Sequence, residues 1–246
     1  MKTSNKILLA LGIIPFFVIL MIIFSFRNEL KKGVDEEILN VDYSNYPVQT
    51  YDFAGFDEIE AEGFWEIELA GGSRFNIELS APEESMDELS VTASGRTLHI
   101  SSKKYSFSLF NRPKISITMP GLSRMDLKGQ CNVIFSDFKM SELDIVINSI
   151  ANIRAINSSI ENFYLSGNGA LNADLNNMAV TNARFGFNGA YMIDMRVNGG
   201  ELSGFLTGPG KLTIWGATSK STLRADTSGS IIYKPFIVNP DQMDGE

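Results

Sequence analysis

Three charged residues at regular spacing are the sharpest candidates for chemistry in this sequence. Arg154, Asp174 and Asp194 lie at intervals of twenty residues, so a fold that repeats every twenty residues would place them in one column. Two carboxylates on neighbouring repeats could flank a glycosidic bond, or bind calcium beside an acidic sugar. A solubilising column explains the pattern more simply, because all three residues alternate with apolar neighbours, as outward strand positions do. We favour that interpretation, in which Arg154 pairs with Asp174.

Other catalytic arrangements fail on composition. His99 is the only histidine and Cys131 the only cysteine, which excludes a zinc site built from these ligands and a Cys/His dyad of the usual kind. We predict no catalytic residue, no metal site and no cofactor. His99 lies between Leu98 and Ile100, which predicts an outward strand position, whereas Cys131 is expected to be a small buried apolar side chain.

One segment is a candidate for partner binding, because it is basic and aromatic within an acidic protein of net charge −8. Aromatic rings and basic groups are common at binding surfaces. The candidate contact residues are Lys103, Lys104, Tyr105, Phe107, Phe110 and Arg112. The negative charge of the whole chain repels phosphate backbones, so nucleic acid is not expected as a partner.

Alternation of apolar and polar residues predicts the elements that carry these side chains. Runs of period two at 64–69 and 75–79, separated by Gly71-Gly72, predict a strand, a tight turn and a strand. Almost nothing between residues 52 and 235 repeats at the helical period, so helix is expected to be nearly absent there. Similar alternating runs follow at 89–93, 98–101 and 114–119.

An internal repeat of roughly twenty residues begins near Leu122 and continues to residue 235. In each segment a Gly or Ser is followed four residues later by an apolar residue. Such a repeat predicts an all-β fold, a single-stranded, right-handed parallel β-helix-like domain in which small residues mark the corners. The β-strand-rich part at 52–121 precedes it. The pairs are Gly129 with Val133, Ser149 with Ile153, Gly167 with Leu171, Gly189 with Ile193, Gly208 with Leu212, and Gly229 with Tyr233.

Asparagines recur at the same interval. They occupy positions 132, 152 and 172 in one series, and 148, 168 and 188 in another. Asparagine tolerates left-handed corners, and each side chain could hydrogen-bond to its copy in the neighbouring coil. The spacing therefore favours stacking of successive repeats.

The N-terminal segment predicts one transmembrane α-helix. It begins at Ile7 and ends at Phe26, twenty residues without a charge, enough to cross a hydrocarbon core of about 30 Å. No small-x-small cleavage site follows it, so we expect it to be retained as an anchor in the bacterial inner membrane. We expect 1–6 to be cytoplasmic, 27–51 a linker, 52–236 an exported domain and 237–246 a tail.

Several motifs occur in a characteristic order along the exported part. They are Phe56-Asp57-Glu58-Ile59, Leu89-Ser90-Val91 leading to Gly95-Arg96-Thr97-Leu98-His99-Ile100, Ile115-Ser116-Ile117-Thr118-Met119-Pro120, Ser166-Gly167-Asn168-Gly169, and Ser228-Gly229-Ser230. In these motifs the sequence resembles, over about 52–236, a bacterial domain family called "putative auto-transporter adhesin, head GIN domain". The resemblance implies an exported, β-helix-like domain, often associated with a membrane or surface, and offers no established catalytic residues. The segment Asn148-Ser149-Ile150-Ala151 departs from the family pattern, which usually has Ser-Gly-Ser there.

These observations predict a non-catalytic, membrane-anchored envelope protein that acts as a binding, adhesion-like or structural module. Its expected partners are the membrane, through residues 7–26, and an envelope protein or polysaccharide. Two alternatives stay open. One is a carbohydrate-active enzyme that uses Asp174 and Asp194, and the other is an envelope sensor that works with a membrane partner.

Overall fold

The computed structural model describes residues 43–102 and 112–234. Within these ranges no helix is both long and apolar enough to cross a membrane. The predicted transmembrane segment at 7–26 lies outside the described residues, as do residues 27–42 of the predicted linker and the whole segment 103–111.

The described chain is all-β, as the alternation predicts. Besides two short 3-10 helices, Tyr43–Asn45 and Glu83–Glu88, it contains only strands as regular structure. The strands are β1 (Val48–Tyr51), β2 (Glu58–Gly71), β3 (Asn76–Ser80), β4 (Leu89–Ser94), β5 (Thr97–Ser102), β6 (Lys114–Met119), β7 (Arg124–Ser136), β8 (Lys139–Ile156), β9 (Ser158–Asn198), β10 (Glu201–Thr207), β11 (Gly210–Ala217), β12 (Lys220–Ser221), β13 (Arg224–Ala225) and β14 (Gly229–Lys234).

All of these strands belong to one mixed sheet. The antiparallel pairs lie in the N-terminal part, where β3 pairs with both β1 and β6, and β4 pairs with β5. The predicted strand, turn and strand around Gly71-Gly72 are present as β2 and β3. These two strands do not pair with each other, because β6 lies between them in the sheet.

Parallel pairing dominates from β2 onwards, and its register is regular. Residues of β7 pair with residues of β8 twenty positions later, as in Met125 with Ile145, and β8 pairs with β9 at the same interval. The interval is nineteen where β10 and β11 pair with β9, as in Phe205 with Gly186. Residues paired at these intervals lie in successive layers of the sheet.

The register corrects two of the predicted glycine alignments. Ser149 pairs with Gly169, not with Gly167, and Gly229 pairs with Gly210, not with Gly208. In both places two glycines lie two residues apart, and the sequence pattern alone selected the wrong one. With the observed pairs, the interval between aligned residues is nineteen or twenty throughout, which is more regular than the sequence alignment indicates.

Inward side chains form continuous apolar columns through the layers. Met125, Ile145 and Leu165 lie one above another, each at most 1% exposed, and burying one such side chain contributes about 1.5–3 kcal/mol. Cys131 is fully buried beside Ala151 in the next layer, which confirms its expected role as a small apolar residue. Burial raises the pKa of the Cys131 thiol to about 12, so the thiol stays protonated and unreactive.

Outward asparagines bond to their copies as predicted. The side-chain nitrogen of Asn152 donates to Oδ1 of Asn132 at 2.9 Å, and that of Asn168 donates to Oδ1 of Asn148 at 3.2 Å. The first series continues to Glu66 of β2, whose Oε2 accepts from Asn132 at 3.0 Å. These bonds hold the layers in register along the outer surface.

Gly169 shows why one position within β9 requires glycine. Its φ is +124°, and a Cβ added to it would lie 1.8 Å from the carbonyl oxygen of Ser149 in the preceding layer. Gly186, in contrast, has no left-handed φ, and a Cβ there would meet only the Cβ of Ser166, at 3.9 Å. The fold therefore requires glycine at 169 but not at 186.

We predict that Gly169→Ala lowers the free energy of unfolding by about 2 kcal/mol or more, because it combines a strained φ with a backbone clash. The matched change Gly186→Ala should alter it by less than about 0.5 kcal/mol. Urea unfolding of the full chain, followed by circular dichroism, measures both values. Equal effects of the two substitutions would contradict the layer geometry.

Candidate functional site

The predicted charged column lies on an exposed face of the sheet. Arg154 and Asp174 are register partners on β8 and β9, and both side chains are exposed. Their expected ion pair is absent from the described contacts. Asp174 Oδ1 instead accepts hydrogen bonds from the backbone nitrogen and the side-chain nitrogen of Asn176, at 3.3 and 3.2 Å. Asp194 is half-buried and pairs across the sheet with Thr213 of β11, which is 1% exposed. Exposure therefore falls along the column, from Arg154 and Asp174 to Asp194.

The described residues contain no group of three or more His, Cys, Asp or Glu side chains that could hold a metal ion. His99 occupies the predicted outward position, and its Nδ1 lies 3.3 Å from Oε2 of Glu60. Lys128 donates a hydrogen bond to the same Glu60 carboxylate and holds its pKa below the usual range. His99 is therefore part of a surface charge cluster.

The predicted partner-binding segment is described only at its end. Lys103, Lys104, Tyr105, Phe107 and Phe110 lie outside the described residues. Arg112 lies within them, and its side chain is 2% exposed. A basic residue that follows an aromatic run was expected at a surface, but this one faces inward.

The buried side chain of Arg112 forms an ion pair with the half-buried Glu66 of β2. Its Nη1 lies 3.8 Å from Glu66 Oε2, and the backbone nitrogen of Glu66 donates to the carbonyl oxygen of Pro113 at 2.9 Å. Burial raises the pKa of the Glu66 carboxyl, while Asn132 and Arg112 oppose the shift. Arg112 thus fixes the chain where it enters β6, and it has a structural role.

A second surface feature was not predicted from the sequence. Two adjoining grooves, of about 590 and 410 Å³, lie on the outer face of β8, β9 and β10, and both are lined by Tyr164 and Arg184. The larger groove also contacts Ser166, Gly186 and Phe205. Phe205 is 49% exposed. Its outward position follows from the period-two pattern of β10, in which Leu202 and Leu206 face inward, but its neighbours follow only from the register.

The register explains how these residues come together. Tyr164 pairs with Asp144 of β8, while Gly186 pairs with Phe205 of β10. Because Gly186 carries no side chain, a gap opens in the outer surface between Tyr164 and Phe205. The gap is bounded on one side by Arg184, two residues before Gly186 on the same strand.

Charges around the grooves are partly neutralised by neighbours. Asp144 forms an ion pair with Arg124, and Glu201 lies 3.4 Å from Nζ of Lys220. Arg184 is exposed, and within the described ranges its guanidinium has no ion-pair or hydrogen-bond partner. It is a free donor group at the edge of the grooves.

This architecture defines a class of all-β protein in which parallel strands stack along one sheet and present a long outer face. A family model described as "putative auto-transporter adhesin, head GIN domain" matches residues 55–239. The chain belongs to this family.

Two solved structures are similar to this chain to different degrees. A "putative adhesin" from Bacteroides fragilis is 18% identical, with a TM-score of 0.58, and the alignment covers 78% of this chain and 98% of that one. A "putative lipid binding protein" from Parabacteroides distasonis is 17% identical, with a TM-score of 0.40 and coverage of 78% and 97%. No curated protein matches the chain. At these identities the likeness concerns the fold alone.

We predict that Arg112→Met lowers stability at pH 7 by about 1–2 kcal/mol, because the half-buried Glu66 carboxylate loses this cation and keeps the hydrogen bond from Asn132. The pKa of Glu66 is already raised in the folded state, and loss of Arg112 raises it further. At a pH between the pKa values of Glu66 in the unfolded and folded states, the folded protein binds one more proton at this carboxyl. The free energy of unfolding therefore falls as pH rises through this range. The deficit should therefore be fully present above the folded pKa and shrink as pH falls through it.

Lys220→Met provides the control for that measurement. Lys220 lies 3.4 Å from Glu201, both side chains are at least 60% exposed, and such pairs contribute less than about 1 kcal/mol. Urea unfolding at several pH values compares the two variants. A deficit for Arg112→Met that does not change between pH 7 and pH 4 would contradict the assignment of Arg112 to Glu66.

Proposed function

We propose that this protein is a membrane-anchored, non-catalytic binding module of the bacterial cell envelope, with an adhesion-like role. The observation that carries the proposal is the constant parallel register of β7, β8 and β9. Such a register aligns outward side chains from successive layers into one continuous face, and a long face of this kind suits contact with an extended or surface-bound partner. Membership of a family whose description names an adhesin head supports the same role.

The proposal includes a right-handed parallel β-helix at 122–235. Support comes from the intervals of nineteen and twenty residues between paired positions, and from the length of β9, which has 41 residues. A straight strand of that length would extend about 135 Å. Glycines with positive φ at 167, 169 and 189 allow it to turn corners instead.

The proposed anchor is the apolar segment at 7–26, followed by the linker at 27–51. Its uncharged length matches a membrane core, and the N-terminus would then be cytoplasmic, with the domain at 52–236 exported. The charged segment at 103–111 is a proposed contact for an envelope protein or polysaccharide. Arg112, the first described residue after this segment, is held by its ion pair with Glu66.

The proposal is tested first by envelope binding. Full-length protein in detergent micelles should cosediment saturably with envelope fragments from a bacterium that encodes it. Lys103→Glu with Lys104→Glu should weaken this binding several-fold if the segment at 103–111 makes the contact. Lys139→Glu with Lys211→Glu changes the charge equally at two exposed strand positions and serves as the control.

The two parts of that experiment have separate consequences. Cosedimentation that does not saturate would contradict a binding module. If binding saturates but the two double charge reversals weaken it equally, the protein is still a binding module. The segment at 103–111 is then not part of its contact surface.

A second prediction concerns catalysis. Because Asp174 is exposed and hydrogen-bonded to Asn176, we expect no release of reducing sugar ends from envelope polysaccharides. The double change Asp174→Asn with Asp194→Asn should leave envelope binding within about twofold of wild type, since surface substitutions of this kind cost little. Sugar release that disappears in the double variant would instead establish the carbohydrate-active alternative.

A further inference from the structure

Gly186 occupies a position where the fold has no need of glycine. It is exposed on β9, its φ lies outside the left-handed region, and a Cβ would meet only Ser166 Cβ at a normal contact distance of 3.9 Å. Glycine weakens a strand interior, and strand propensities span about 1 kcal/mol. A glycine in a strand often marks a place where a ligand approaches the backbone closely, and here the missing side chain opens the larger groove.

Two aromatic side chains stand on either side of that gap. Phe205 is directly paired with Gly186 and is 49% exposed. Tyr164 lies two layers away from Phe205 and two positions earlier along its layer, so the two Cα atoms are about 12 Å apart. The Tyr164 hydroxyl has no hydrogen-bond partner within the described ranges. Two linked pyranose rings would span this separation, and the apolar faces of sugar rings pack on aromatic rings.

Polar groups around the gap suit hydroxyl groups better than charges. Glu142, Asp144 and Glu201 provide carboxylate acceptors, and Arg184 provides free guanidinium donors. Charge-assisted hydrogen bonds of this kind are about twice as strong as neutral ones. Asp144 and Glu201 are already paired with Arg124 and Lys220, so Glu142 and Arg184 leave the grooves without net charge, which suits a neutral ligand. The net charge of −8 on the whole chain disfavours an anionic polymer or an anionic lipid surface.

We propose that the groove over Gly186 binds a neutral glycan, with sugar rings packed on Tyr164 and Phe205 and hydroxyl groups bonded to Arg184 and Asp144. This assignment deepens the proposed function and rests on it, because it names the class of envelope ligand and the site that takes it. The groove is open to solvent, so it accommodates an internal segment of a chain as well as a chain end.

The test uses full-length protein in detergent micelles and an array of neutral oligosaccharides containing α- and β-linked glucose, mannose, galactose and xylose. Polygalacturonate and phosphatidylglycerol vesicles are the anionic probes. We expect at least one neutral glycan to bind and both anionic probes to fail. Phe205→Ala should weaken that binding at least tenfold through loss of one ring, and Gly186→Leu should do the same by filling the gap.

Matched controls separate the groove from the rest of the surface. Met192→Ala removes an apolar side chain that is 57% exposed on another part of β9, and Ala190→Leu adds bulk at an exposed position outside the groove. Both should stay within twofold of wild type. Circular dichroism checks the fold of each variant, and Gly186→Leu keeps the test decisive if Phe205→Ala does not fold.

The contrary outcomes are distinct. Absence of binding to every neutral glycan, preference for either anionic probe, or neutral binding that survives both groove substitutions would overturn the assignment. If saturable envelope binding persists in Gly186→Leu, the binding module stands and the groove is excluded as its site. If wild-type protein binds a neutral glycan but not envelope fragments, the groove assignment survives and the envelope role fails.

Discussion

Backbone hydrogen bonding between residues nineteen or twenty positions apart is the constraint on which the rest of this structure depends. It lets each central strand satisfy both of its edges with the chain itself, so the polar backbone is paired without long-range antiparallel partners. The same register makes every inward side chain the neighbour of an inward side chain, as in the column from Met125 to Leu165. Core, asparagine series and surface grooves all follow from that alignment.

A stack of parallel strands has two ends, and each end exposes unpaired backbone groups. At the N-terminal end, the edge of β2 that does not face β7 pairs with β5 and β6. These two strands pair in turn with antiparallel strands. At the other end β12 and β13 have two residues each, and β14, which has six, pairs with β11. The N-terminal arrangement and the short β12 and β13 reduce the length of edge available for pairing with another chain, and the longest edge left at the C-terminal end is that of β14.

The sequence could predict the local elements because their cause is local. Alternation identified β6 at the same residues that the structure assigns to it, and the single cysteine was identified as a core residue. The glycine alignment was wrong at Gly167, because two glycines with similar surroundings compete for one partner and only the sheet register decides between them. Arg112 was assigned to a surface because nothing near it in the sequence reveals Glu66, which lies in another strand.

The groove was beyond prediction for the same reason. Gly186 looks like any other glycine of the repeat until its φ and its neighbours are known, and Tyr164 and Phe205 are far apart along the chain. Period two alone assigns Phe205 to the outer face. Only the change of interval from twenty to nineteen brings it beside Gly186.

That change of interval has a consequence for how such a chain can vary. The missing residue is absorbed between β9 and β10, at Gly199-Gly200, so the strands on both sides keep their inward and outward faces. A deletion inside β8 would instead reverse the faces of the residues beyond it and turn Ile145 or Ile147 towards water. Insertions and deletions in related proteins should therefore accumulate in the connections between strands, where a layer can change its length while its inward side chains stay inward.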